Sequence, residues 1–409
     1  MRAHLLAAAL LTAGLLGGHG AKADPDNFTE VERGRYLATA GDCMACHIGA
    51  DGKSMAGGHR LETPFGAIAV PNLTPDDETG IGRWTSNQFW RAMHEGIGAH
   101  GERLYPAFPY TAFTKMPRED VDAVYAYLRT LEPVRNAVDR DTLPFPFNIR
   151  LLMAGWNMLN FTPGVFQPDP AKSAEFNRGA YLVEGPGHCG LCHTPRNLIG
   201  GDKSGAHLQG GELQGWFAPN ITADKRQGIG DWSDAEMVEY LRTGRNARTA
   251  ASGPMAEVVA YSTSAMTDAD LKAIAVYLRE RGAAGDPAPA ALAAGDAHMT
   301  TGAAVFQDSC SACHVGNGEG VAGMFPRLAN SQVVQQTNPT TVIRVILDGA
   351  QSVATPTAVT APAMPAFHWR MTDQQVADVS TYIRNSWGNA APAVTVDQVR
   401  KVREELGER

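Results

Sequence analysis

Apolar residues recur at helical spacing in several short stretches of this chain, and three of those stretches end alike. Leu271, Ile274, Tyr277 and Leu278 fall on one face of a 3.6-residue helix that closes on Tyr277-Leu278-Arg279. The same aromatic-aliphatic-Arg ending occurs at Tyr127-Leu128-Arg129 and Tyr382-Ile383-Arg384. Thr267-x-x-Asp270 and Thr372-x-x-Gln375 predict capping boxes at two of the starts, and Pro117 a first-turn proline at the other. Well ahead of each lies another helical stretch with a glycine and an aromatic: Gly34 with Tyr36, Gly179 with Tyr181, Gly302 with Phe306. A glycine on one helix lets an aromatic of the other come close. The pattern predicts three tandem units, each opened and closed by a helix.

Units one and two share more than the frame. Pro71-Asn72-Leu73-Thr74 matches Pro219-Asn220-Ile221-Thr222, and Gly80-Ile81-Gly82-Arg83-Trp84-Thr85 matches Gly228-Ile229-Gly230-Asp231-Trp232-Ser233. Duplication accounts for both. Thr85 with Gln88, and Ser233 with Glu236, predict capping boxes that place Trp84 and Trp232 at loop-to-helix corners.

The chain of 409 residues suits two to four domains. Residues 1–23 read as a signal peptide: Arg2, an apolar run from Leu5 to Leu16, then Ala21-Lys22-Ala23. Unit one then covers 24–140, a linker 141–173, unit two 174–282, a second linker 283–297, unit three 298–388, and a tail helix 389–409. Removing 1–23 takes away Arg2 and Lys22 and no acid, moving the formal charge from −8 to −10. So acidic a protein is a poor partner for nucleic acid. The stretch from Leu143 to Phe161 is apolar but broken by Pro144, Pro146, Asn148, Arg150 and Asn157, so it does not span a bilayer. Packing between domains is its commoner role, docking to a partner or the lipid interface the other. The Ala/Pro/Gly-rich second linker reads as a semi-flexible spacer that lets unit three pack independently. In the tail, Val396, Val399, Val402 and Leu406 at helical spacing suit a solvated helix on its own domain more than a partner clamp.

Six cysteines occur only as Cys43-Met44-Ala45-Cys46-His47, Cys189-Gly190-Leu191-Cys192-His193 and Cys310-Ser311-Ala312-Cys313-His314. C-x-x-C-H is the attachment spacing of haem c: two thiols bond the porphyrin vinyl groups and the histidine ligates iron. Disulfides or zinc are the alternatives, and neither explains a histidine after every second cysteine. The units resemble the small cytochrome c domain, which implies an all-α fold of three tandem domains, each wrapped around one covalent haem. By that resemblance Met364 is the sixth ligand in unit three, and the carbonyl of Pro326 accepts from His314. Met255 is the matching methionine in unit two; Met266 competes, but its counterpart Met371 suggests packing. In unit one Phe108 stands where a methionine is expected, so Met116 is preferred, with Met93, His94 and His100 as alternatives; His94 and His100 look exposed. Trp84, Trp232 and Arg327 are candidates to bind haem propionates, with core or surface roles as the alternative.

Three C-x-x-C-H motifs, the Pro-Asn-Leu-Thr and Gly-Ile-Gly-Arg-Trp-Thr blocks, Tyr105-Pro106-Ala107-Phe108-Pro109-Tyr110 and Pro254-Met255 together resemble the triheme cytochrome c subunit of membrane-bound alcohol, aldehyde and sugar or sugar-acid dehydrogenases, such as those of gluconate, sorbitol or fructose. The resemblance implies three haem c groups and a catalytic partner carrying flavin, pyrroloquinoline quinone or a molybdenum cofactor. It implies delivery of electrons to ubiquinone, a peripheral place on the periplasmic side of the membrane, and no catalysis by the isolated chain. A free periplasmic shuttle to a terminal oxidase and a peroxidase-like enzyme at the first haem are the rival readings.

Overall fold

The computed structural model describes residues 28–49, 51–139 and 142–407; the signal peptide expected at 1–23 lies outside them. Three pairs of crossed helices set the frame. Phe28–Ala40 crosses Arg118–Arg129, Ala174–Glu184 crosses Asp268–Glu280, and Ala297–Ser309 crosses Asp373–Arg384. Each crossing is tight enough to demand glycine. A Cβ added at Gly34 would lie 1.7 Å from the Ala123 carbonyl oxygen, at Gly179 1.9 Å from that of Ala273, and at Gly302 2.2 Å from that of Asp378. An ion pair ties each opening helix to its closing helix: Arg33 to Asp120 at 2.5 Å, Arg178 to Asp270 at 2.8 Å, His298 to Asp378 at 2.6 Å.

The capping boxes at Thr85, Ser233 and Thr372 are reciprocal. At Thr267 the box is one-sided: its hydroxyl accepts from the Asp270 amide, but the Asp270 carboxylate takes hydrogen bonds from Arg178 and Tyr36 and does not reach back. Pro117 caps its helix from the position before Arg118 rather than sitting in the first turn.

The fold is mostly helical but not purely so. Antiparallel hairpins join Arg60–Thr63 to Gly66–Ala69, Gly211–Leu213 to Trp216–Ala218, and Ala350–Gln351 to Ala363–Met364. The second turns through Gln214 and Gly215, both at positive φ (50° and 74°), the backbone of a two-residue hairpin loop. Strands of two to four residues are too short to register as alternation along the sequence.

Buried apolar side chains form two clusters. One runs without a break through units one and two, joining Leu37, Phe89, Met116 and Leu128 to Leu182, Trp232, Leu271 and Leu278. The other fills unit three around Phe306, Ile343, Leu347 and Val379, and takes in Val399 and Val402 of the tail helix Val396–Glu405, which packs on its own unit. Units one and two also meet through equivalent residues in both directions. Tyr36 donates its hydroxyl to Asp270 at 2.5 Å, and Tyr181 donates to Asp120. That reciprocity is the signature of an approximate two-fold axis.

Unit three is not independent. Arg226 of unit two donates to the carbonyls of Gln335 (3.2 Å) and Ala390 (3.0 Å), buried Gln336 donates to the Gln227 carbonyl at 2.6 Å, and Thr341 both donates to and accepts from the Phe217 backbone. The contact is built from guanidinium, amide, hydroxyl and backbone groups, which leave no hydrophobic pattern in the sequence. Composition of the spacer carries no sign of it.

Candidate haem-attachment sites

Each opening helix leads into a short helix that carries the motif: Cys43–His47, Gly190–His193 and Ser311–His314. Left-handed residues turn the chain into the first two, Asp42 at φ 51° and His188 at φ 37°. One turn of helix then spaces the cysteines and sets the histidine beside the second of them. No disulfide joins any of the six cysteines, and no group of three or more His, Cys, Asp or Glu side chains gathers to hold a metal ion among the described residues.

The three histidines share one contact. Nδ1 of His47 lies 2.8 Å from the Pro71 carbonyl oxygen, that of His193 2.6 Å from Pro219, and that of His314 2.9 Å from Pro326. A carbonyl only accepts, so Nδ1 carries the proton and Nε2 keeps its lone pair for iron. Burial holds His47 neutral, its pKa lowered to about 4, and lowers His193 and His314 as well. Pro326 is expected from the sequence; Pro71 and Pro219 are not. Their signal is present in the duplicated Pro-Asn block, where Asn72 and Asn220 are buried and each accepts a backbone amide two residues on, at Thr74 and Thr222. Asn72 also donates to the Val134 carbonyl at 2.7 Å and Asn220 to that of Ala284, so the proline is fixed to the segment beyond the closing helix.

Trp84 packs half-buried against the core and Trp232 is buried edge-on to Tyr240, 5.4 Å between ring centres. Neither indole N–H has a hydrogen-bond partner among the described residues. Arg327 reaches Glu319 only at 3.9 Å, and its Nε is buried without a partner. A propionate would satisfy such an atom.

Met364 stands on its hairpin opposite Ala350, and Met255 in the first turn of the helix Pro254–Tyr261. Phe108 is the counterpart of Met255. It follows by four residues Leu104, whose amide donates to the Gly96 carbonyl, as Met255 follows Ala251, whose amide donates to that of Gly244. Its ring packs on Phe113 at 5.5 Å. Met116, Met266 and Met371 are equivalent: each is buried and directly precedes the residue that caps the closing helix. Of these two methionine positions unit one therefore keeps only Met116, the one that units two and three hold in addition to their candidate ligands. Met93 is core. His100 is exposed as expected, but His94 is half-buried, stacked on Trp90 at 4.4 Å with Thr114 Oγ1 3.3 Å from Nδ1.

The first two sites face each other. Helix Pro254–Tyr261 of unit two packs on the motif helix of unit one, and His188 Nε2 lies 3.2 Å from the Gly41 carbonyl oxygen. Asp42, pushed up to about 8 by burial and by Glu257, is close enough to act electrostatically on Cys192, as is Cys46. Paired thiols, neutral histidines with Nε2 free, and an orphaned guanidinium nitrogen fit a covalently held haem.

Comparison with known proteins agrees. The cytochrome c family model matches residues 31–132 and 299–387, around the first and third motifs. The gluconate 2-dehydrogenase cytochrome c subunit of Pantoea cypripedii is 41% identical, over 93% of this chain and 91% of that protein. The fructose dehydrogenase cytochrome subunit of Gluconobacter japonicus is 37% identical, over 98% and 89%. A subunit of the nicotinate dehydrogenase of Pseudomonas putida is 43% identical over 89% of this chain, which spans only 31% of that longer protein.

Proposed function

Since the chain belongs to the cytochrome c subunits of dehydrogenase complexes, we propose that it relays electrons from a catalytic subunit to ubiquinone through three covalent haems, one in each of three tandem cytochrome c domains. Its place is peripheral, on the periplasmic side of the membrane. The catalytic subunit carries flavin, pyrroloquinoline quinone or a molybdenum cofactor, and the chain itself performs no substrate chemistry. The observation that carries the reading is the threefold recurrence of the histidine Nδ1 to proline carbonyl contact, 2.6 to 2.9 Å, directly after paired cysteines.

Bound haem supplies one-electron chemistry at iron, with no bond made or broken in the protein. Cys43 with Cys46, Cys189 with Cys192, and Cys310 with Cys313 hold it. His47, His193 and His314, oriented by their prolines, would ligate its iron. Met116, Met255 and Met364 would be its further iron ligands, and Trp84, Trp232 and Arg327 would bind its propionates. A His/Met pair favours a high potential and leaves no site for substrate.

The test uses the purified complex. Three haems per chain are expected by haemochrome assay, with quinone reduction by the complex and none by the isolated chain. Met364→His should lower one of three midpoint potentials by about 100 mV or more, within the roughly 0.8 V that axial ligands command. Two haems per chain, or an isolated chain that oxidises substrate, would sink the reading. Phe108 favours one rival, a peroxidase-like first haem; a spectrum that cyanide perturbs at one haem in three would mark it.

A further inference from the structure

We propose that the face formed by residues 145–159 and 198–199 is the surface on which the protein sits on a lipid bilayer. This rests on the peripheral membrane association proposed above and names its site. The helix Leu152–Asn160 has no buried side chain at all. Phe145 (79%), Leu151 (75%), Met158 (87%), Leu159 (76%) and Leu198 (101%) are among the most exposed large apolar residues of the molecule. The two segments make one surface: Trp156 donates its indole N–H to the Ile199 carbonyl at 2.8 Å, and Asn197 donates to Asn160 at 3.0 Å.

The helix is amphipathic the wrong way round for a soluble protein. Its polar groups turn inward, Asn157 accepting from the buried Tyr110 hydroxyl at 2.7 Å and Asn160 donating to its own helix, while its leucines and Met158 face out. Residues 151–168 hold no charged side chain in a chain of net charge −8. A protein partner of stable size exchanges about one hydrogen bond per 100–200 Å², and the helix on this face has engaged the side-chain polar groups of Trp156, Asn157 and Asn160 within the protein. Hydrocarbon asks for none. No helix among the described residues is long and apolar enough to cross a membrane. A helix of nine residues, about 13 Å long at 1.5 Å per residue, lies flat at the headgroup boundary with its apolar side down. Ordinary packing between domains, the commoner role for such a linker, does not cover it.

The experiment is flotation of the haem-loaded complex with phosphatidylcholine vesicles, with and without phosphatidylglycerol, followed by haem absorbance. The triple variant Met158→Ser, Leu159→Ser, Leu198→Ser should lose vesicle partition at least tenfold in both compositions and at high salt, while keeping its haem content, its thermal transition and its catalytic subunit. If the wild-type complex floats and the variant floats equally, this site is wrong and membrane association stands elsewhere. Should the variant keep its partition but shed the catalytic subunit, the face is a protein interface. A wild-type complex that does not float overturns the association and the site together.

Discussion

At the scale of single residues, the site is governed by what a buried polar atom is given to bond. Arg384 is fully buried and donates to the carbonyls of Pro392, Val334 and Thr337, at 3.1, 2.9 and 3.4 Å. Burial lowers its pKa to about 10, so it stays charged at neutral pH. Arg384→Ala would strand those acceptors and open a cavity; chemical denaturation should show a loss of about 3 kcal/mol or more. Met116 makes a second test. As the proposed ligand in unit one, its replacement by leucine should turn one haem in three high-spin and reactive to carbon monoxide. An unchanged low-spin spectrum would return it to the packing role of Met266 and Met371. The C-x-x-C-H spacing of the cysteines and histidines is legible in the sequence because it recurs three times around every cysteine. The proline carbonyls of units one and two were not, because a backbone acceptor leaves no mark on residue type; only the repeat pointed at Pro71 and Pro219.

Helix pairs carry the next scale. Gly34, Gly179 and Gly302 were readable since close approach leaves one residue type, whereas the ion pairs beside them depend on which turn each side chain occupies. In units one and two the opening helix supplies arginine, but unit three supplies His298, whose pKa is raised first by its hydrogen bond to Asp378. A pKa raised in the folded state makes the pair stabilising below the ordinary histidine value of about 6.5 and loses that contribution as pH rises through the raised value. The unfolding temperature of unit three should therefore fall slightly between pH 6 and pH 8, and His298→Arg should flatten the dependence. The effect is small because the histidine side chain is half exposed. Tyr36→Phe and Tyr181→Phe should each cost about 1 to 2 kcal/mol in urea unfolding, the weight of a hydrogen bond to a carboxylate that keeps its arginine. Their sum should depart from additivity when combined, since Arg178, paired to the Asp270 that accepts from Tyr36, also lies over the Tyr181 ring at 5.6 Å.

For the whole molecule, two cores predict two folding bodies. A chain ended after residue 286, which keeps the Ala284 carbonyl that Asn220 bonds, should fold as one cooperative body and bind two haems, because the cluster through units one and two lies within it. Loss of either haem from it, seen by haem stain and mass, would show that the Arg226 and Gln227 contacts are required. The sequence pairs units one and two by their duplicated blocks and sets unit three apart, but it does not show that the pair shares one core. Repeats reveal what is alike; which neighbours share a core depends on surfaces such as Tyr36 and Tyr181, single residues inside otherwise ordinary helices.

The crossed pair of bonds, Tyr36 to Asp270 and Tyr181 to Asp120, describes a surface complementary to itself. An ancestral chain of one unit carrying both residues would have paired with its own copy, at the mercy of concentration. Gene duplication with a linker makes the same encounter intramolecular, so dilution into a large compartment no longer separates the halves. It also releases the halves from identity. One copy can exchange a methionine for Phe108 while its twin keeps Met255, and a symmetrical assembly becomes a directional one.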